Sequence, residues 1–109
     1  MINIHAAKPL HNKSEGDSAL RVSESVNKVF SVQAVISGAP TVAAIKISGS
    51  LDNIHFHELV THTFSAEELT AESALFHVVN KPVGTLKFEV LTLTGGTTPT
   101  MSVYVMEGM

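Results

Sequence analysis

Thr85-Leu86-Lys87-Phe88-Glu89-Val90 and Met101-Ser102-Val103-Tyr104-Val105 decide how this chain is read. Both stretches alternate apolar and polar residues, the period of a strand with one buried face. Between them lies Gly95-Gly96-Thr97-Thr98-Pro99, a run with no strand-forming character. Two strands so close in sequence predict a hairpin joining 85–94 to 100–106, with a loop longer than a two-residue turn.

Working back toward the N-terminus, the same rhythm recurs. Residues 29–36 place Phe30, Val32, Ala34 and Ile36 on one face, and Ser37-Gly38-Ala39-Pro40 ends the run. Residues 41–48 gather Ala43, Ile45 and Ile47, then close at Gly49-Ser50-Leu51-Asp52-Asn53. A return strand over 54–63 completes a hairpin, with Ile54, Phe56 and Val60 on one side and His55, His57, Leu59 and Thr61 on the other. Further strands are expected at 19–22 and 74–79. Phe64-Ser65-Ala66-Glu67-Glu68-Leu69 has the Ser-x-x-Glu form of a capping box with a Phe64–Leu69 staple, which predicts one helical turn. The expected fold is an all-β, antiparallel β-sandwich of about seven short strands. A parallel α/β fold is excluded because no segment is long enough for crossover helices. Phe30, Val32, Ile45, Ile47, Phe88, Val90, Val103 and Val105 should line the core.

Residues 1–17 read differently. Isolated apolar residues Ile2, Ile4, Pro9 and Leu10 stand among His, Lys, Asn, Ser and Gly, without helical or strand periodicity. This predicts an extended N-terminal arm over 1–17, separate from a sandwich domain over 18–109. Ile2, Ile4, His5, Pro9 and Leu10 are its candidate partner contacts, ordering against a neighbouring subunit.

Composition narrows the class. The 109 residues are 44% hydrophobic and include five Phe, one Tyr and no Trp, so a single modest core must be mostly aliphatic. A formal net charge of -3 without basic clusters argues against nucleic-acid binding. No apolar run approaches the ~20 residues of a membrane span, and the first residues do not read as a signal peptide, so synthesis in a cytoplasm is expected. With no cysteine, disulfides, thiolate metal sites and cysteine nucleophiles are excluded.

Chemistry-bearing motifs are sparse. His55 and His57 fall on one face of the expected strand at a spacing compatible with a shared metal, yet the third ligand would have to come from His62, His77, Glu58 or Asp52. Six histidines are therefore read as surface residues, with no metal and no cofactor expected. Gly49-Ser50-Leu51 lacks the surroundings of a nucleophile elbow, and no His-Glu-x-x-His, Walker or dinucleotide signature occurs. A non-enzymatic protein is expected.

Residues 29–36 and then Ala44-Ile45-Lys46-Ile47-Ser48-Gly49-Ser50-Leu51-Asp52-Asn53, followed by Phe56 and Leu59, resemble small virion proteins of tailed bacteriophages. There a strand of the form f-x-v-Q-a-v precedes a v-x-G-S-x-D-G-x-x-W-x-x-L hairpin. The resemblance spans about residues 28–106. Asn53 stands where that pattern has Gly, and Phe56 near its Trp, which weakens a sugar-stacking platform. The resemblance implies a structural subunit of a phage particle: a capsid decoration or cement protein, or another head or tail accessory. It would be made in the host cytoplasm, bind capsid or other virion proteins in the virion, and form a homo-oligomer such as a trimer. The alternative is a small carbohydrate- or receptor-binding module using loop residues Asp52, Asn53, Gly95 and Thr97 at one end of the sandwich.

Overall fold

The computed structural model describes residues 7–22, 29–79 and 84–107. Among the described residues, eight strands run in order: β1 Ala7–Lys13, β2 Ser18–Val22, β3 Val29–Ser37, β4 Val42–Ser50, β5 His57–Thr63, β6 Ser73–Val79, β7 Thr85–Thr94 and β8 Thr100–Glu107. One helix, α1 Ala66–Ala71, lies between β5 and β6. The strands form two four-stranded sheets, β1-β8-β3-β6 and β2-β7-β4-β5, in which every pairing is antiparallel. The chain changes sheet at every connection except β4 to β5. That strand order is a jelly roll, which places the chain among all-β sandwiches.

Alternation puts the expected side chains inside. Phe30, Val32, Ala34 and Ile36 from β3 and Met101, Val103 and Val105 from β8 face Ala43, Ile45 and Ile47 from β4 and Leu86, Phe88 and Val90 from β7, all buried. Ala34 pairs with Val103 in one sheet and Ile47 with Phe88 in the other, so the two inner faces meet as aliphatic layers with a Phe from each. A shift in register between Ala44 and Ile45 leaves Leu91 unpaired on β7. This bulge reverses the phase of the strand, and Leu93 rather than Thr92 enters the core.

Three expectations are corrected. The proposed arm over 1–17 contains β1, which pairs with β8, and Leu10 is only 1% exposed within the core. Burial of one Leu and a backbone ladder suffice to order a segment whose own periodicity is too weak to announce it. Leu10 is therefore a core residue, not a partner contact, and the sandwich begins before residue 18. Pro9 is half-buried, while Ile2, Ile4 and His5 lie outside the described residues.

The second correction concerns β7 and β8, which do not form a hairpin. Each is the inner neighbour of two other strands in its own sheet, so the loop at 95–99 carries the chain from one sheet to the other. It packs on the loop after β3, where Thr97 N–H donates to Gly38 O at 2.8 Å. Gly38 has φ +85°, and a Cβ there would stand 2.6 Å from Thr97 O. Only glycine fits that crossing.

Third, β5 starts at His57, not at residue 54, and Ile54 is 75% exposed. Asp52 accepts from the backbone N–H groups of both Ile54 and His55, which holds these residues in the turn and delays the start of the ladder with β4.

Candidate functional site

The turn between β4 and β5 is the most heavily cross-linked polar feature described in the chain. Asp52 Oδ1 accepts from Ser50 Oγ at 2.9 Å, from Ile54 N–H at 2.9 Å and from His55 N–H at 2.8 Å. Its other oxygen, Oδ2, lies 2.7 Å from His55 Nδ1. Ser50 Oγ in turn accepts from Asn53 N–H at 2.9 Å, and Asn53, in the left-handed region at φ 64°, accepts from the Thr85 hydroxyl of β7. These bonds follow directly from the Ser-x-Asp-Asn order, since short polar side chains close on backbone groups two or three residues away. The imidazole of His55, then the backbone bonds from His55 and Ile54 and the Ser50 hydroxyl, hold the Asp52 carboxyl well below the ordinary carboxylate range.

Two consequences follow for the site. Leu51 and Ile54, 83% and 75% exposed, are carried outward on this fixed turn. Beside them, Gly49, Ser50, Asp52, His55, His57 and Leu59 line an open cleft of about 370 Å³. Leu59 reaches it because a bulge opposite Ile47 and Ser48 leaves that residue unpaired on β5.

The chemistry available here is limited by the order of contacts. Asp52 sits between Ser50 and His55, so the serine proton points to a carboxylate and not to an imidazole. A nucleophilic serine needs the base adjacent to its hydroxyl, with the acid behind the base. The arrangement rigidifies a turn instead.

His55 and His57 do not share a strand face as expected, because His55 lies in the turn. Among the described residues, no three His, Asp or Glu side chains gather as a metal-binding group. The loop cluster of the alternative reading is also not assembled. Ser50 pairs with Thr85 at one end of β4 and Val42 with Thr94 at the other, so Asp52 and Asn53 lie a strand length away from Gly95 and Thr97. Phe56 is half-buried with Lys87 Nζ 5.9 Å above its ring, and Tyr104 lies on a sheet face under Lys8, 5.0 Å away.

A second polar cluster escaped the sequence reading. His62 Nε2 of β5 lies 3.0 and 3.1 Å from the two carboxylate oxygens of Glu68 in α1. Its ring stacks on Phe76 of β6 at 4.8 Å and meets Phe64 edge-on at 6.0 Å. Glu68 also completes the expected capping box with Ser65. The Ser65 N–H, with a smaller part from His62, lowers the Glu68 pKa, while partial burial opposes the shift.

Comparison with known proteins gives one kind of answer. No family model matches the chain, and no curated protein matches it by sequence. Among solved structures, the crystal structure of the SPBc2 prophage-derived protein YomS is similar in fold. That match has a TM-score of 0.57 at 14% identity and covers 95% of this chain and 92% of that one. Similarity at that identity establishes a shared sandwich fold.

Proposed function

We propose that this chain is a non-enzymatic structural subunit of a phage particle, binding capsid or other virion proteins as a decoration, cement or other head or tail accessory. The observation that carries the reading is the whole-chain likeness in fold to a prophage-derived protein. It is joined by the sequence resemblance over residues 28–106, whose Gly49-Ser50-Leu51-Asp52 stretch builds the most heavily hydrogen-bonded turn among the described residues. A jelly roll is itself an architecture that viral capsid domains use, among many others.

With Leu10 consumed by the core, contact with the virion passes to Leu51 and Ile54. Exposed aliphatic side chains on a preorganised turn lose little conformational freedom when they dock. Many weak copies on a symmetric lattice then add up to firm attachment. The chain would be made in the host cytoplasm and end in the virion.

The test is to purify particles from the host that carries the gene and probe them for this chain. Stoichiometric incorporation, reduced by Leu51→Ser with Ile54→Ser at unchanged melting temperature, is expected. Particles that lack the chain would overturn the reading.

A further inference from the structure

Among the described residues the two sheets end in four edge strands, and three of these are guarded against pairing with another chain. β1 breaks register twice along β8 and carries Lys8 and Lys13. β2 is five residues long and carries Arg21. β5 has Glu58 beside the bulge at Leu59. Charges, bulges and shortness are the usual means of blunting an edge.

β6 has none of them. Ser73-Ala74-Leu75-Phe76-His77-Val78-Val79 contains no Lys, Arg, Asp, Glu or Pro, and it pairs with β3 in unbroken register from Val29↔Val79 to Val35↔Ser73. An uncharged, regular strand of this length and β-propensity is a template for another strand.

The direction of its free groups can be assigned. Ile36 N–H donates to Glu72 O at 2.9 Å, continuing the same register. Antiparallel alternation then turns the backbone groups of Ala74, Phe76 and Val78 toward β3, and those of Ser73, Leu75, His77 and Val79 toward the open edge. Leu75 and Val79 are 62% and 50% exposed. His77 is drawn away from that edge, its Nδ1 lying 3.0 Å from Ser31 Oγ on β3.

We infer that β6 pairs antiparallel with β6 of a second copy about a two-fold axis at His77, joining two four-stranded sheets into one of eight. Main-chain donors and acceptors in a row call for a strand as the occupant, and an antiparallel pair of identical strands is self-complementary. Centring on His77 sets Leu75 of each copy opposite Val79 of the other, so both exposed apolar side chains of the strand are covered. A register centred on Leu75 leaves Val79 without a partner. No charged side chain of Lys, Arg, Asp or Glu meets its like across the pair. Leu75 also borders a shallow cleft of about 160 Å³ with Gln33, Tyr104 and Met106, which continues the surface onto the outer face. The inference stands independently of the phage reading.

Sedimentation velocity of the full chain over a concentration series should show a monomer–dimer equilibrium. Leu75→Lys with Val79→Lys places like charges opposite each other twice and should raise the dissociation constant at least about tenfold, with the melting temperature kept. Because the chain has no cysteine, His77→Cys gives a single probe of the register. Facing Cα atoms in such a pair stand about 5.5 Å apart, within disulfide reach, so mild oxidation should link two copies, while Leu51→Cys should not. A wild-type chain that sediments as a monomer throughout, or a His77→Cys chain that stays unlinked, would overturn the inference. So would a dimer that survives both lysines, as would capture of an unrelated extended peptide with no self-association.

Discussion

The His62 ring, on the edge of one sheet, stacks 4.8 Å from the Phe76 ring on the edge of the other, with the two planes 12° apart. Together with the Glu68 carboxylate, it links β5, α1 and β6. His62→Ala should therefore destabilise the fold by about 1–2 kcal/mol, combining a lost stacking pair with a lost charged hydrogen bond on a half-buried side chain. Chemical denaturation measures it, and a change within ~0.5 kcal/mol, the range of an ordinary surface substitution, would show that the contact contributes nothing.

The same cluster sets a pH dependence. Because the folded state lowers the Glu68 pKa, its contribution is fully present above the ordinary glutamate range and is lost as pH falls through that range toward the lower folded value. Urea melts of the parent chain and Glu68→Gln should differ most near neutrality and converge under acid. A gap that stays constant from neutrality down to acid would assign the stabilisation to packing and not to charge.

Leu10→Ala should cost about 2–5 kcal/mol, comparable with other buried leucines, since its side chain is 1% exposed in the shared core. Deleting residues 1–17 should unfold the chain or lower its melting temperature sharply, because β8 loses its outer partner. Retention of the parental melting temperature by the truncated chain would restore a detachable arm.

Phe88→Ala, at the centre of the opposite sheet with 0% exposure, should cost about 3–5 kcal/mol. Leu51→Ala, on the exposed turn, should change stability by less than about 0.5 kcal/mol. Equal losses from the two would contradict the assignment of one to the core and the other to the surface.

Gly96 has φ +66°, and a Cβ there would collide with Gly38 O and the Ala39 backbone. Gly96→Ala should thus cost more than the ~1 kcal/mol of a simple left-handed residue, because backbone must move as well. Thermal melts compare it with Gly16→Ala, where φ is similarly positive at +89° but the space is open. Equal shifts would remove the steric part of the explanation.

What the sequence determined by itself was the alternation. Period-two patterning named Phe30, Val32, Ile45, Ile47, Phe88, Val90, Val103 and Val105 as core, and all eight are buried. The capping box at Ser65 and Glu68 and the β4–β5 hairpin were legible too, because each is closed by groups near in sequence. Tertiary structure alone decided which strands share a sheet. Backbone ladders are nearly indifferent to side-chain identity, so alternation in β7 and β8 fits a hairpin as well as a crossing between sheets. The membership of β1 was hidden for a related reason: one Leu among polar residues makes no period, and only a core already built by β3, β4, β7 and β8 gives Leu10 a place. The stacking of His62 on Phe76 likewise required two edges, fourteen residues apart in sequence, to be brought together by the packing of the sheets.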